Sequence, residues 1–390
     1  MSKNHIIAYN IKYCALQFLY WMLSCSVIPF TGVFLLDKGY SNSQIGVILA
    51  CGYIVGLLFQ PATALLAVRL KSLSPSAFLT RWCVVYMVII GLLSLCRNYG
   101  FILSILYVLY ISAENALQPH INSFAFFIED SGIPIRFGLA RGCGSLSWGL
   151  TSLLLGVLVT KFSPHVILVV SAIVNILLII LLSTIRTTRV VDSKNSVENV
   201  IPGSFFCSKN FICLMFGIML IYFGFSFIDG FPYQIVLDVG GNHTDMSRIT
   251  SLLALIEIPA MFGFEFMHKK HGCVKLIVFS AVMFAFRGIF LATTNSLNAL
   301  YFSNVFHLLS YAIMIPASVR YLNEIIPENE VTKAQAMLTM MMSAGSILSS
   351  FTGGWLIDSF SVRVMLSVAA AATTIGCVAV IYSILNRVGN

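Results

Sequence analysis

The sequence predicts an all-α polytopic membrane protein with twelve transmembrane helices. Of its 390 residues, 58% are hydrophobic and 10% are charged, against about 25% charged in an average soluble domain. The apolar residues fall in runs of about 20, the length of a helix that crosses a bilayer. Runs such as 166–182 are apolar on every face, whereas the strands of a membrane barrel alternate apolar and polar residues. These observations exclude a soluble globular protein and an outer-membrane barrel.

Twelve spans of about 21 residues fit the chain and leave only short loops between them. The predicted spans cover 13–35, 44–67, 77–96, 101–127, 140–160, 165–184, 210–235, 247–267, 273–293, 297–319, 333–357 and 363–386. The only long connection of mixed charge lies at 185–209, at the midpoint of the chain. We therefore predict an N-terminal six-helix half at 1–184, a cytoplasmic linker at 185–209 and a C-terminal six-helix half at 210–390.

A weak internal similarity supports the two halves. The first half contains Pro119, Glu129 and Gly144-Ser145-Leu146, and the second contains Pro316, Glu324 and Gly345-Ser346-Ile347 in the same order. Two parallel halves joined by a cytoplasmic linker are the architecture of major facilitator transporters, whose substrate site lies near the bilayer midplane.

The distribution of basic residues explains the net charge of +8. With the amino terminus assigned to the cytoplasm, 17 of the 23 basic residues fall on the inside and five on the outside, and Arg287 remains within a span. This asymmetry satisfies the positive-inside rule. It predicts a multi-pass protein of the cytoplasmic (inner) membrane with both termini in the cytoplasm, and it does not indicate nucleic-acid binding.

The spacing of the ten cysteines and the absence of catalytic motifs argue against several functions. Most cysteines lie in apolar runs and none forms a CxxC pair, so neither a disulfide framework nor a metal site is indicated. The sequence lacks a phosphate-binding loop, a GxSxG elbow, an HExxH motif and paired catalytic carboxylates. We therefore expect no enzyme activity, no ATP-driven pump and no cofactor, with a proton as the coupling ion.

Polar residues inside the predicted spans are the best indicators of function, because ionisable groups in hydrocarbon are costly unless they face a cavity or a partner. In helix 4, Glu114, Gln118 and Asn122 follow at steps of four and share one face. The pattern favours a polar cavity wall, and the alternative is a protonated glutamate used in packing.

Helix 5 begins with Arg141, and Ser145, Trp148 and Ser152 follow on the same stripe. An arginine can bind paired hydroxyls or a carboxylate, and a tryptophan face can stack on a sugar or an aromatic ring. The stripe therefore predicts a ligand clamp. The alternative is an interfacial arginine with a packing tryptophan.

In the second half, four ionisable residues within the spans are candidates for a functional role. Glu257 lies among apolar residues, where its carboxyl group can carry the proton that a symporter needs. Arg287 needs a carboxylate or a carbonyl partner, and Glu257 is a candidate. His307 lies in a polar stripe of helix 10, and Asp229 lies in helix 7 without an obvious basic partner. For each, a purely structural role is the alternative.

Two segments resemble the oligosaccharide:proton symporters, the lactose permease group, and the related permeases for phenylpropionate and nucleosides. They are Phe59-Gln60-Pro61 and Phe137-Gly138-Leu139-Ala140-Arg141-Gly142-Cys143-Gly144-Ser145-Leu146-Ser147-Trp148-Gly149. The resemblance implies that Arg141 and Trp148 bind the sugar and that Glu257 binds sugar and takes part in coupling. Arg287 and His307 match the arginine of helix 9 and the histidine of helix 10 in that group.

The chain departs from this family at several charged positions. The helix 4 glutamate that binds the sugar falls at Asn122, and the helix 10 acid that carries the coupling proton falls at Ser310. Lysines of helices 10 and 11 fall at Asn304 and Gly345, and an acidic residue after helix 2 falls at Val68. These departures argue against galactoside specificity and leave proton coupling to Glu257, with Glu114 and Asp229 as further candidates. An uncoupled facilitator is the alternative.

We therefore predict a transporter of a sugar or glycoside that works by alternating access with proton coupling. The predicted substrate-binding residues are Asn122, Arg141, Trp148, Glu257 and His307, and the predicted proton-coupling residues are Glu257, Arg287, Glu114 and Asp229. The expected partners are a small-molecule substrate and the lipid bilayer, and the protein is expected to be a monomer. Two alternatives stay open: a permease for an aromatic acid or nucleoside, and a non-transporting membrane sensor or lipid-handling protein.

Overall fold

The computed structural model describes residues 3–70, 73–96, 100–129, 132–185, 208–326 and 328–388. Within these ranges the chain folds into helices and contains no β-strand. The helices are α1 (Lys3–Val27), α2 (Thr31–Asp37), α3 (Asn42–Arg69), α4 (Pro75–Leu95), α5 (Phe101–Glu129), α6 (Phe137–Lys161), α7 (Val166–Ser183), α8 (Lys209–Gly230), α9 (Pro232–Asp238), α10 (His243–His271), α11 (Cys273–Thr293), α12 (Leu297–Ile325), α13 (Glu328–Ser359) and α14 (Val362–Val388). Ten helical segments of the described ranges are long and apolar enough to cross a membrane. The predicted all-α polytopic fold is confirmed.

The first and seventh spans are each built from two helices, where the sequence analysis predicts one. Between α1 and α2 the chain turns at Pro29, and α9 begins at Pro232 directly after the end of α8. Proline lacks the backbone N–H that a helix needs and its ring clashes with the preceding turn. The predicted single helices at 13–35 and 210–235 are therefore wrong in this respect.

Other helices extend beyond their predicted ends. Helix α10 covers His243–His271 rather than 247–267, and α13 begins at Glu328 rather than at 333. The added turns are polar, and hydropathy does not detect them because they continue the helix beyond its apolar run. Serine side chains begin several helices: Ser41, Ser74, Ser208 and Ser296 each accept a hydrogen bond from a backbone N–H of the first turn.

The described chain divides into two compact units. The first contains Met1–Lys194 and His243–Leu255, and the second contains Asn195–Asn242 and Ile256–Asn390. The predicted boundaries differ at His243–Leu255, the first half of α10, which was assigned to the C-terminal half. This segment joins the first unit because the Ser152 hydroxyl of α6 donates to the Ser247 carbonyl at 2.9 Å. Most of the predicted linker, residues 186–207, lies outside the described residues.

In the first unit, α1 packs against α5, α6 and α7, α3 packs against α5, and α4 packs against α7. Hydroxyl groups form a fully buried chain inside it. The Ser171 hydroxyl lies 2.6 Å from that of Tyr110 and 2.7 Å from that of Ser26, and Tyr86 stacks on Tyr110 with ring centroids 5.3 Å apart. The two contacts of the Ser171 hydroxyl satisfy polar atoms that would otherwise be costly to bury.

In the second unit, α8 packs against α13 and α14, and α11 packs against α12 and α14. The Ser280 hydroxyl of α11 donates to the backbone carbonyl of Ser310 in α12 at 2.7 Å. Both serines are fully buried. Ser310, which stands where the lactose permease group carries a coupling acid, therefore has a packing role here.

The two units repeat one structural turn that the sequence analysis missed. The sequences Leu36-Asp37-Lys38-Gly39 and Leu237-Asp238-Val239-Gly240 end α2 and α9, and each glycine has a positive φ, 84° and 80°. Each glycine N–H donates 3.0 Å to the carbonyl of the leucine three residues earlier. Glycine favours this left-handed conformation because it has no Cβ.

A second repeat, which the sequence analysis did identify, has a packing role. A Cβ atom at Gly144 of α6 would overlap the Trp21 indole of α1, and one at Gly345 of α13 would lie 2.6 Å from the Met219 carbonyl of α8. In each unit the fifth span therefore approaches the first span of that unit through a glycine.

Candidate functional site

A hydrogen-bonded chain of three ionisable residues lies inside the second unit. His307 Nε2 of α12 lies 2.7 Å from Glu257 Oε1 of α10, and His307 Nδ1 lies 2.9 Å from Arg287 Nη1 of α11. Arg287 and His307 are 3% and 4% exposed, and the Glu257 side chain is 14% exposed. Three helices therefore contribute one residue each to a buried acid–imidazole–guanidinium chain.

The direct pair of Arg287 with Glu257, which the sequence analysis offers as a candidate, is replaced by this arrangement. Within the described ranges, no carboxylate lies within 4.0 Å of Arg287. The imidazole of His307 occupies the space between the two charges instead. Spacing along the sequence could not predict this, because it depends on how α10, α11 and α12 pack together.

The hydrogen bonds fix the protonation of His307. A guanidinium can only donate, so His307 Nδ1 must accept from Arg287 with its lone pair. A neutral imidazole then carries its single proton on Nε2 and donates it to Glu257. His307 is therefore a neutral bridge, and it cannot gain a second proton while Arg287 holds Nδ1.

Aromatic rings enclose this chain on one side. The His307 ring stacks on Tyr311 and on Phe225, with centroids 5.1 and 5.9 Å away. Arg287 lies over the Phe225 ring at 5.8 Å, which favours a cation by attraction to the ring face. Among the residues that the structure describes, Arg287 Nε has no hydrogen-bond partner. The sequence analysis missed Phe225, because a phenylalanine in an apolar helix gives no signal of its own.

Asp229 belongs to the same electrostatic environment. Its side chain on α8 is exposed, and the charges of Arg287 and Glu257 act on it. The sequence analysis found no basic partner for this residue. The structure places Arg287 within electrostatic range of it, without a direct ion pair in the described ranges.

The first unit holds a separate cluster around Arg141. The guanidinium lies 4.1 Å from the centre of the Trp21 ring, and Nη1 donates to the Ser145 hydroxyl at 3.3 Å. Trp21 also contacts Trp148, with ring centroids 5.9 Å apart. Arg141 and Trp148, which were predicted to form a clamp, are thus brought together through Trp21. Ser152, from the same predicted stripe, packs against α10 instead.

Amide groups connect this cluster to α5. Trp21 Nε1 donates to Gln17 Oε1 at 3.1 Å, and Gln17 Nε2 donates to Asn122 Oδ1 at 3.2 Å. Gln17 is fully buried, whereas Asn122, Arg141 and Trp148 are partly exposed. The chain of contacts fixes the orientation of Asn122 and Trp21. The sequence analysis missed Gln17 and Trp21, although their spacing of four puts them on one face.

Glu114 is placed differently from the prediction. Its side chain is 1% exposed. Its carboxyl group interacts with the side chains of Tyr20 and Ser24 of α1. The interpretation of Glu114 as part of an open cavity wall is therefore wrong, because α1 covers this part of the α5 face. Gln118 and Asn122 of the same face are partly exposed.

An all-α fold with ionisable residues buried inside apolar spans is typical of multi-pass transporters. The chain belongs to the MFS_1 like family, whose model matches residues 10–368. It is 24% identical over 371 residues to the "Uncharacterized transporter YwbF" of Bacillus subtilis (strain 168), covering 92% of this chain and 90% of that protein.

Solved transporter structures share this fold. The nucleoside transporter NupG superposes with a TM-score of 0.82 at 15% identity, covering 96% of this chain and 98% of that one. A bacterial homolog of the human lysosomal transporter Spinster, in an inward-facing and occupied conformation, gives a TM-score of 0.72 at 14% identity, covering 99% and 98%. The prediction of a major facilitator transporter is confirmed at the level of the superfamily.

Proposed function

We propose that this protein is a proton-coupled transporter of a glycoside, with nucleosides as the substrate class. A nucleoside is a glycoside that joins sugar hydroxyls to a flat aromatic base, so it unites the two substrate classes that the sequence left open. The observation that carries the proposal is the buried Glu257–His307–Arg287 chain within a major facilitator fold. The lactose permease subgroup, with galactosides as its substrates, is not part of the proposal.

The cluster of the first unit has the chemistry to bind such a molecule. Arg141 offers a planar fork of donors that matches paired hydroxyls, and Asn122 offers an amide held in place through Gln17. Trp148 offers a partly exposed indole on which a base or a sugar ring can stack. The resemblance in fold to a transporter of nucleosides supports this choice.

The hydrogen-bonded residues Glu257, His307 and Arg287 of the second unit have the chemistry to take up a proton. Because Arg287 occupies Nδ1 of His307, the Glu257 carboxylate is the group of these three that can accept a proton. Protonation changes the bond between His307 and Glu257 from a charge-assisted one to a weaker neutral one. It also leaves the positive charge of Arg287 with Asp229 as its nearest remaining counter-charge. A proton thereby changes how firmly α10 is held to α12.

Uptake by the purified protein in proteoliposomes tests the substrate class. We expect a proton gradient to drive the accumulation of labelled uridine or adenosine, and unlabelled nucleosides to compete more strongly than disaccharides or phenylpropionate. Preferential competition by phenylpropionate would establish the aromatic-acid alternative. Binding of nucleosides without any exchange across the membrane would establish the sensor alternative.

Variants of the first-unit cluster test its role in binding. Arg141→Lys keeps the charge but loses the planar fork, and Trp148→Ala removes the stacking surface, so each should raise KM at least tenfold. Trp355→Ala is the matched control, because Trp355 is 54% exposed on α13 and should transport normally. Unchanged KM in both cluster variants would contradict the assignment.

Glu257→Gln tests the coupling role. The amide can still accept the hydrogen bond from His307, but it cannot bind a proton, so gradient-driven accumulation should stop while exchange of substrate across the membrane continues. Glu129→Gln serves as the control, because Glu129 is exposed at the end of α5. Accumulation that is unchanged in Glu257→Gln would refute the coupling role of this residue.

A further inference from the structure

We propose that the second unit binds one divalent cation of the zinc type at His268, Cys273 and Glu324, at the adjoining ends of three helices. This site is independent of the transport residues described above. The cysteine spacing of the sequence indicates no metal site, and the proposal departs from that expectation because the three residues meet only in the folded chain.

The three side chains come from three different helices. His268 lies in the last turn of α10, Cys273 is the first residue of α11, and Glu324 lies near the end of α12. Their ligand atoms all lie within 4.8 Å of one another. The Cys273 sulfur lies 3.2 Å from His268 Nδ1 and 3.5 Å from Glu324 Oε1, and His268 Nε2 lies 3.7 Å from the same oxygen.

A zinc ion binds one nitrogen of an imidazole, and Nδ1 is the His268 nitrogen that lies next to the sulfur. The Cys273 sulfur lies 3.2 Å from it and 3.5 Å from Glu324 Oε1, close to the spacing of ligand atoms around zinc. With bond lengths of about 2.0–2.3 Å, two ligand atoms of a tetrahedral zinc are about 3.4–3.6 Å apart. Sulfur, imidazole nitrogen and carboxylate oxygen are the three ligand types that zinc uses in proteins. Three protein ligands leave a fourth position for water. Magnesium and calcium are disfavoured, because they prefer oxygen ligands alone.

The local backbone places the two nearest ligands. Gly272 turns the chain between α10 and α11 with a φ of 76°, and its N–H donates to the His268 carbonyl at 2.8 Å. This tight turn brings Cys273 back against His268. The imidazole is oriented by parallel stacking on Phe264, with a ring angle of 9° and centroids 6.0 Å apart.

The three ligand groups differ in their access to solvent. Cys273 is 2% exposed at the start of α11, and its sulfur lies against His268 and Glu324. Glu324 also pairs with Arg320 at 4.0 Å, but both side chains are nearly half exposed. Such an exposed pair contributes little, so Glu324 is available to a cation.

Metal binding by the full chain, purified in detergent, tests the proposal. We expect one Zn²⁺ per chain by elemental analysis, and Co²⁺ in its place should give the absorption band of a cobalt–thiolate bond. Cys273→Ser should abolish that band, and His268→Ala and Glu324→Gln should each weaken binding at least tenfold. His271→Ala and Cys51→Ser are matched controls at exposed positions and should bind normally.

A second measurement avoids variants altogether. Zn²⁺ should slow the alkylation of Cys273 in the intact protein at least tenfold, as followed by mass spectrometry of its peptide, and should leave Cys51 unaffected. The proposal is overturned if Zn²⁺ does not protect Cys273. It is also overturned if the three ligand variants, folded as judged by gel filtration, bind Zn²⁺ as the parent chain does.

Discussion

Substituting His307 provides a test of the buried chain in the second unit. His307→Phe retains a ring of similar size that can still stack on Phe225 and Tyr311, but it removes both ring nitrogens. Arg287 then loses the acceptor of Nη1 while its Nε already lacks one. Glu257 loses the donor at 2.7 Å. The substitution therefore isolates the two hydrogen bonds from the packing.

The size of the effect follows from the exposure of each partner. Arg287 is 3% exposed and cannot turn to water, so leaving this charged donor unpaired costs about 2–3 kcal/mol. The Glu257 side chain is 14% exposed and can be partly rehydrated, which limits its loss to about 1 kcal/mol. We expect a total decrease of about 3–4 kcal/mol in the free energy of unfolding, within the range for breaking a buried charged pair.

His307→Gln separates stability from proton chemistry. The glutamine amide can accept from Arg287 through its oxygen and donate to Glu257 through its nitrogen, so its stability should lie within about 1 kcal/mol of the parent. Reversible unfolding in mixed detergent micelles measures both variants. A His307→Phe protein as stable as the parent, or a His307→Gln protein as unstable as His307→Phe, would refute the arrangement of hydrogen bonds described here.

Three further substitutions test other parts of the structure. Gly144→Ala should displace the Trp21 ring, because the added Cβ would overlap it. We expect the free energy of unfolding to fall by about 1–3 kcal/mol and the substrate Kd to rise. A normal Kd would show that substrate binding does not need Trp21. Gly376→Val should prevent the close packing of α14 against α8, because a Cβ atom at this position would lie 2.7 Å from a carbonyl oxygen of α8. Normal folding of this variant would contradict the packing of the two helices. Burial, together with the ammonium of Lys38 that donates to it, lowers the pKa of the His165 imidazole outside the spans. Because the pKa of His165 is lower in the folded protein than in the unfolded chain, its contribution to stability is present above the usual pKa of histidine. That contribution is lost as the pH falls through the folded pKa. Acidification should therefore lower the melting temperature of the parent more than that of His165→Gln.

Much of the fold could be predicted from the sequence, because it depends on local properties. Apolar runs of membrane length and the asymmetry of basic residues each report a property of consecutive residues. The helix breaks at Pro29 and Pro232 were missed because each proline lies inside an apolar run, and hydropathy gives no information on backbone geometry. Their effect depends on the proline ring and its missing N–H.

The candidate site could be predicted only in part. Glu257, Arg287 and His307 were found because an ionisable residue in an apolar helix is conspicuous. That His307 bridges the other two, and that α1 covers Glu114, depends on the packing of different helices. No periodicity within one helix reports such contacts. The proposed cation site has the same origin, since Glu324 lies far along the chain from the other two ligands.

The glycines at which helices approach closely recur at the same spacing in both halves of the chain. Gly144 and Gly345 are separated by the same number of residues as the two glycines that end α2 and α9, as an internal repeat of two parallel halves predicts. By the same offset, Arg141 corresponds to Met342. The positions that allow helices to approach closely are therefore the same in both halves, whereas the position of Arg141, for which we propose a role in binding, is apolar in the other half.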